Sequence, residues 1–387
     1  MLKNENKFQA GDVFTISLSH FLHDVYSSFL APLLPLLIDK FSLSYSLAGL
    51  LSVFQRLPSL FNPFVGIIAD KIPIRYFLIF APAATAIFMS LLGSAPTYLI
   101  VAILLFFSGM SASLFHVPAP VMIKRISGNR VGKGMSFFMF GGEIARSVGP
   151  FLILSAISLW TLDGAYRVMP IGLGASVLLF FKFRKIEISQ NFKKNKNNTE
   201  VKETLKNVFP LLITVAGISF FMSIIRSALT AFLPTYVAAG GHSLWEGGIA
   251  LSIVQLAGAF GSFSSGTFSD KLGRRETLKI ISIVSPILML LFVYSSGWLA
   301  VPILVLSGYF LFSSTPVLLA IINEYKSEHP SFVNGLFMTM NFISGAGSVM
   351  IIGALSDWLG FETTYKISAF LGLLSLLFVL RLDKKEK

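Results

Sequence analysis

A chain of 387 residues that is 54% hydrophobic and only 13% charged, with a mean hydropathy of +0.75, lies outside the range of water-soluble proteins, in which about a quarter of residues are charged. That excludes a soluble enzyme. A formal charge of +12 raises nucleic-acid binding, but the 31 Lys and Arg gather in alternate loops, which makes them a signal of membrane topology instead.

Apolar runs of about twenty residues, enough to cross a hydrocarbon core of ~30 Å, predict an all-α polytopic membrane protein with twelve spans. They fall near residues 12 to 39, 44 to 69, 76 to 95, 97 to 123, 134 to 160, 165 to 183, 208 to 238, 245 to 269, 277 to 296, 298 to 323, 332 to 356 and 364 to 381. The polar start, Met1 to Asp12, leads into a run too long for a signal-peptide core, so the first span reads as uncleaved. Basic residues collect at Lys71 and Arg75, at Lys124, Arg125, Arg130 and Lys133, across 182 to 206, at Lys271, Arg274, Arg275 and Lys279, and in the tail from Arg381. The positive-inside rule makes these loops cytoplasmic, which puts both termini in the cytoplasm of a multi-pass cell-membrane protein. Trp160, Trp245, Trp298 and Trp358 then fall at outer helix ends, where an amphipathic ring suits the headgroups. Residues 184 to 207 are rich in Lys and Asn and lack an apolar period, so they read as a cytoplasmic linker between a bundle at 1–183 and another at 208–387. The absence of cysteine excludes disulfides, a thiolate metal site and a thiol nucleophile.

The two halves repeat. At an offset of 200, Leu51, Ser52 and Gln55 recur as Leu251, Ser252 and Gln255, and Gly66, Asp70, Lys71 and Arg75 recur as Gly266, Asp270, Lys271 and Arg275. At an offset of 201, Gly134, Ser147 and Val148 recur as Gly335, Ser348 and Val349. Parallel six-helix repeats joined by a basic linker imply alternating access around a site near the midplane.

The run Gly266-Thr-Phe-Ser-Asp270-Lys271-Leu-Gly273-Arg274-Arg275 resembles the cytoplasmic loop signature of the major facilitator superfamily. The first-half copy keeps Gly66, Asp70, Lys71 and Arg75 but has Pro73 and Ile74 in place of Gly and Arg. A Gly lets two helices approach, and an Asp at a helix end pairs with basic groups, so these residues read as a conformational latch. Spans 4 and 5, from Ser113-Leu-Phe-His116-Val-Pro118 through Gly134, Ser136, Gly141-Gly142 and Val148-Gly149-Pro150, are similar to the fosmidomycin-resistance branch of that superfamily. So is span 1, with His20, His23 and Asp24 ahead of Pro35. The chain departs at Val117 and Pro118, where the branch has Pro and Glu, and at Glu143, where it has an uncharged residue. Gly149-Pro150 also resembles the end of an antiporter signature, lacking the glycines expected at Leu154 and Ser155. The resemblance implies a twelve-helix major facilitator fold working as a monomer.

Ionisable residues inside a membrane cost roughly 2.5 to 3.5 kcal/mol each and mark function by default. Here they are His20, His23 and Asp24 in span 1, Arg56 in span 2, His116 in span 4, Glu143 and Arg146 in span 5 and Arg226 in span 7. His20 and Asp24 share a helix face, as do Glu143 and Arg146. Asp24 reads as the main proton carrier and Glu143 as the second, with His20, His23 and His116 assisting. A static ion pair is the plain alternative for Glu143 and Arg146, and a hydrogen bond to a backbone carbonyl for His20. Three Arg against two carboxylates favour an anion, so Arg146, Arg56, Arg226, Gln55, Gln255 and Asn341 are the candidate substrate contacts. A metal site is not expected, because nothing in the spacing fixes His116 against His20 and His23.

The expectation is a proton-coupled secondary transporter, an antiporter exporting a small anionic or amphipathic compound, with fosmidomycin-like phosphonates a candidate class. Its partners are that small molecule, protons and the lipid bilayer. It uses no cofactor beyond the coupling proton, binds no nucleic acid and is not an enzyme. The rivals are a proton symporter importing an organic anion, and a non-transporting sensor or assembly protein.

Overall fold

The computed structural model describes residues 8–62, 74–183, 198–324 and 330–382, and every regular element among them is helical. Eight stretches are long and apolar enough to cross a membrane. Two of these, over 133–183 and 336–379, each hold two spans, divided where the backbone turns left-handed at Thr161 (φ 64°) and Gly360 (φ 74°). With the shorter helices after Ser44 and over 76–90, the described residues are consistent with twelve spans.

The first span is two helices, α1 (Ala10–Ser27) and α2 (Leu30–Phe41). Ser27 and Ser28 hydroxyls return to the carbonyls of Asp24 and Val25, ending α1 by competing for its ladder. Pro32 then sits in the first turn of α2, where its missing N–H has no helical partner to lose. Next come α3 (Tyr45–Arg56), α4 (Ile74–Ser90) and α5 (Tyr98–His116). The departure at Val117-Pro118 marks the end of α5: Val117 keeps helical angles (φ -72°, ψ -51°), but Pro118 has no N–H to continue the ladder, and α6 (Ala119–Ile126) starts just after it. The long α7 (Val131–Gly164) and α8 (Met169–Phe183) complete the first six spans. Then follow α9 (Asn198–Ala231), α10 (Leu233–Ala239), α11 (Leu244–Leu272), α12 (Arg274–Tyr294), α13 (Ala300–Glu324), α14 (Pro330–Leu373) and α15 (Ser375–Val379). Residues 198–207, expected as linker, are the first turns of α9; Pro210 lies further along the same helix without ending it.

The chain forms two compact units. The first comprises Met1–Ser42, Leu51–Lys193 and Val237–Ser252, and the second Leu43–Leu50, Lys194–Tyr236 and Ile253–Lys387. In the first unit α1 packs along α7 at close range. A Cβ on Gly142 would lie 2.4 Å from the His20 ring, and one on Gly149 would lie 2.6 Å from the Val25 carbonyl oxygen. These glycines let the two backbones approach and make room for the imidazole. In the second unit α9 lies along α14, and Tyr365 donates across to the Ala228 carbonyl at 2.8 Å.

Candidate functional site

The close approach of α1 and α7 puts a charged cluster inside the first unit. Asp24, on the buried face of α1, is 2% exposed. Its Oδ1 lies 2.9 Å from His23 Nδ1 and 3.3 Å from His116 Nε2. Its Oδ2 accepts from Arg146 Nη2 at 3.1 Å and lies 3.3 Å from His20 Nε2. Arg146 Nη1 is 2.8 Å from Glu143 Oε2, so one guanidinium bridges a carboxylate of α1 and one of α7. Asp24, Arg146 and Glu143 each have an opposite partner, the condition for tolerating ions in a low-dielectric interior. His116 stands at the proline break closing α5, with its side chain 39% exposed, while that of His23 is 0% exposed.

The imidazoles are fixed from behind. His20 Nδ1 meets the Phe138 carbonyl at 2.8 Å, and its ring stacks on Phe138 at 4.1 Å. His23 Nε2 meets Thr85 Oγ1 of α4 at 3.0 Å; Thr85 donates to Ser111 Oγ of α5 at 2.8 Å, and Ser111 donates to the Ala81 carbonyl at 2.7 Å. Phe115 stacks on the His23 ring at 4.8 Å.

Arg56, at the end of α3, is half-buried and has no hydrogen-bond or ion-pair partner among the described residues. It stands near enough to Arg146 for the two charges to repel. Its neighbour Gln55 donates to the Ser27 carbonyl at 2.9 Å. Arg226, in the second unit, is engaged with α13: it donates to Thr315, Ser314 and the Leu311 carbonyl, each at 2.8 Å. Asn341 on α14 accepts from Ser219 of α9, and Gln255 is buried with its Oε1 unpartnered.

Of the latch residues, Gly66, Asp70 and Lys71 lie outside the described residues, as does the side chain of Arg75. In the second copy, Arg274 pairs with Asp270 at 2.5 Å and with Glu324 at 3.0 Å. Arg275 donates to the Leu380 carbonyl at 2.7 Å, and Lys271 is exposed. Gly266 differs from its expected part: a Cβ there would meet nothing within 4 Å, so it does not serve close packing among the described residues. Its carbonyl accepts from Ser269 and Arg274. Pro150 lies inside α7, one residue beyond Gly149.

His20, Asp24 and His116 place possible metal-binding atoms within 4.8 Å of one another. Arg146 on the same carboxylate opposes a dication there. Four side chains from three helices converge on this one carboxylate, and that of His116 is partly exposed. Sequence reasoning missed Thr85, Ser111 and the Phe138 carbonyl, because a lone hydroxyl in an apolar span carries no signal of what it touches.

A sequence model described as Major Facilitator Superfamily matches residues 16–349. The chain is 29% identical to the Fosmidomycin resistance protein of Escherichia coli (strain K12), over 96% of this chain and 93% of that one. It is 25% identical to an uncharacterised transporter of the same type from Bacillus subtilis (strain 168), over 96% and 92%. Among solved structures it is similar in fold to a D-xylose-proton symporter, with a TM-score of 0.76 at 16% identity, covering 97% of this chain and 98% of that one.

Proposed function

The chain belongs to the major facilitator superfamily, and on that premise we propose that it is a proton-coupled transporter that exports a small amphipathic or anionic compound in exchange for protons. Both termini lie in the cytoplasm in this reading, and a monomer suffices. The observation that carries it is the buried Asp24, held between His23 and His116 on one oxygen and Arg146 and His20 on the other. A carboxylate with three imidazoles within 3.3 Å offers a proton several places to reside. Export is supported by the similarity to the Fosmidomycin resistance protein, and phosphonates are accordingly the first compounds to test. The guanidinium of Arg56, unengaged among the described residues, suits one oxyanion of such a compound. An apolar body seated over the half-exposed His116 dries it and drives off its proton, and that competition is what exchange requires.

A second reading has its own observation. Arg146 and Arg56 balance Asp24 and Glu143, so any histidine proton leaves the cluster positive, and a positive cluster beside Arg56 holds an anion more tightly. Mutual reinforcement of that kind gives symport. Reciprocity separates the two readings, because a ligand that weakens proton binding must release protons when it binds. Fosmidomycin added to purified protein in weak buffer with a pH dye should release protons if the protein exchanges them; uptake selects symport. A protein that binds the compound with no proton change near neutral pH is coupled to neither.

A further inference from the structure

We propose that the proton of this site is stored on His23, that His116 is the end of the relay that meets water, and that Thr85 is the positioning residue that makes the storage possible. This rests on the proton-coupled reading above and adds where the proton resides. The argument starts from an acceptor that has no choice. The Ala81 carbonyl can only accept, so the Ser111 hydroxyl gives its one hydrogen there. Ser111 must therefore accept from Thr85, and Thr85, its own hydrogen used, must accept from His23 Nε2. His23 Nε2 thus carries a proton in every state that keeps this chain of bonds. A neutral imidazole has only one, so a neutral His23 turns a bare Nδ1 toward Asp24 Oδ1 at 2.9 Å. Two lone pairs at that distance repel, and one added proton between them removes the conflict.

The fold therefore demands a proton at this contact. It has a route in, because His116 Nε2 faces the same oxygen at 3.3 Å and its side chain is 39% exposed. A proton passes from His116 imidazolium to Asp24 Oδ1 and then to His23 Nδ1. One N–H bond breaks and one forms, with the carboxylic O–H between them, and His116 is left neutral. The other oxygen accepts from Arg146; His20, whose Nδ1 gives its proton to the Phe138 carbonyl, faces it with Nε2 at the longer distance of 3.3 Å, so the repulsion there is weaker than at His23 and is offset by the guanidinium. The titratable and charged groups around His23 are Asp24 and His20 on α1, His116 on α5, and Glu143 and Arg146 on α7, with Arg56 of α3 beside Arg146. Among the described residues α4 contributes no charge to His23, only Thr85.

The test is Thr85→Val, which removes the obligatory acceptor at nearly constant shape. A neutral His23 can then carry its single proton on Nδ1 and satisfy Asp24 without an extra one. The pH at half-maximal proton-driven transport in proteoliposomes should fall by about one unit, the equivalent of one lost hydrogen bond to a charged group. Thr85→Ser should restore it. Ser111→Ala, which never touches His23, should shift it the same way, since a Thr85 freed from Ser111 can turn and donate to Nε2. Nitrogen-15 spectra of histidine-labelled protein in lipid nanodiscs give a readout independent of transport. Wild-type His23 should show protons on both nitrogens at a pH where Thr85→Val shows a neutral Nδ1–H ring. A neutral Nδ1–H ring in the wild type would overturn the assignment, as would transport midpoints identical in wild type, Thr85→Val and Ser111→Ala. If the spectra are as expected but the wild type moves no protons, the storage assignment stands and proton coupling falls.

Discussion

The seam between α1 and α7 in the first unit and the seam between α9 and α14 in the second are built from repeats of one sequence, yet they are filled with different chemistry. His20 and Asp24 have buried Ser219 and Ser223 at the offset of 199, and Glu143 has Ser344 at 201. The first seam holds carboxylates, imidazoles and a guanidinium. The second holds hydroxyls and an amide, with Ser219 donating to Asn341, and its guanidinium, Arg226, is fastened to neutral groups of α13. Duplication supplies the same scaffold twice; charge is concentrated in one copy, and it is there that the proposed proton coupling can be broken.

The sharpest way to break that asymmetry is Asp24→Asn. Asparagine keeps the shape but ends the exchange of protons with His23 and His116, so proton-driven transport should fall to background in proteoliposomes while the protein still folds. Transport at wild-type rate would mean that the charged seam is not the coupling site. Next in size is the loss of Arg146. Arg146→Gln leaves Asp24 and Glu143 as neighbouring buried acids without their shared cation, a change that costs about 3 to 5 kcal/mol. Arg226→Gln loses hydrogen bonds to neutral partners and should cost about 1 to 3 kcal/mol. Denaturation in detergent should rank the two, and adding Asp24→Asn to Arg146→Gln should recover part of the larger loss.

The repeats also differ where their second helices begin. Ser243 precedes α11, and its backbone and hydroxyl pair with Glu246 three residues on, both at 2.8 Å, a capping box closed within one turn. Ser44 precedes α3 in the same way and accepts from Leu47 N–H at 3.2 Å, but position 47 is leucine and offers no carboxylate. Asp357, from α14, takes that part, accepting from the N–H groups of Tyr45 at 2.6 Å and Ser46 at 2.9 Å. Asp357→Ala should cost about 1 to 2 kcal/mol and speed hydrogen exchange at Tyr45 and Ser46. Glu246→Ala should cost less, with faster exchange confined to its own turn.

How much of this the sequence discloses depends on the range of the interaction. Hydropathy finds the spans, because each depends only on its own residues and the bilayer thickness. The pairs His20–Asp24 and Glu143–Arg146 are legible because helical spacing alone brings them together. Arg146 reaching Asp24 is not, since it depends on Gly142 and Gly149 letting two helices approach. Thr85, Ser111 and Asp357 are hidden for the same reason: each is an ordinary polar residue until the fold supplies its partner. Arg226 shows the same limit: its charge is legible in the sequence, but that its Nη1 and Nη2 donate to α13 is not.

The smallest expected effect separates the repeats at their last turn. Thr161 (φ 64°, ψ 175°) and Gly360 (φ 74°, ψ 164°) adopt nearly the same backbone conformation, each parting two spans at an offset of 199. That region of the map is open to glycine and strained for a β-branched residue. The second repeat meets the turn with the residue that fits it, and the first holds it by force of its surroundings: Asp163, two residues on, is paired with Lys40 at 2.7 Å, and Lys40 also donates to the Gly93 carbonyl at 2.7 Å. Thr161→Gly should therefore stabilise the protein, even though glycine substitutions generally weaken helices. The gain should be about 1 kcal/mol, since relief of strain outweighs the added freedom of the unfolded chain. Gly360→Thr should destabilise by a similar amount or more. A pair of denaturation midpoints that moved in the same direction would show that the two turns are alike in angle only, and that the first is held by contacts that the threonine itself supplies.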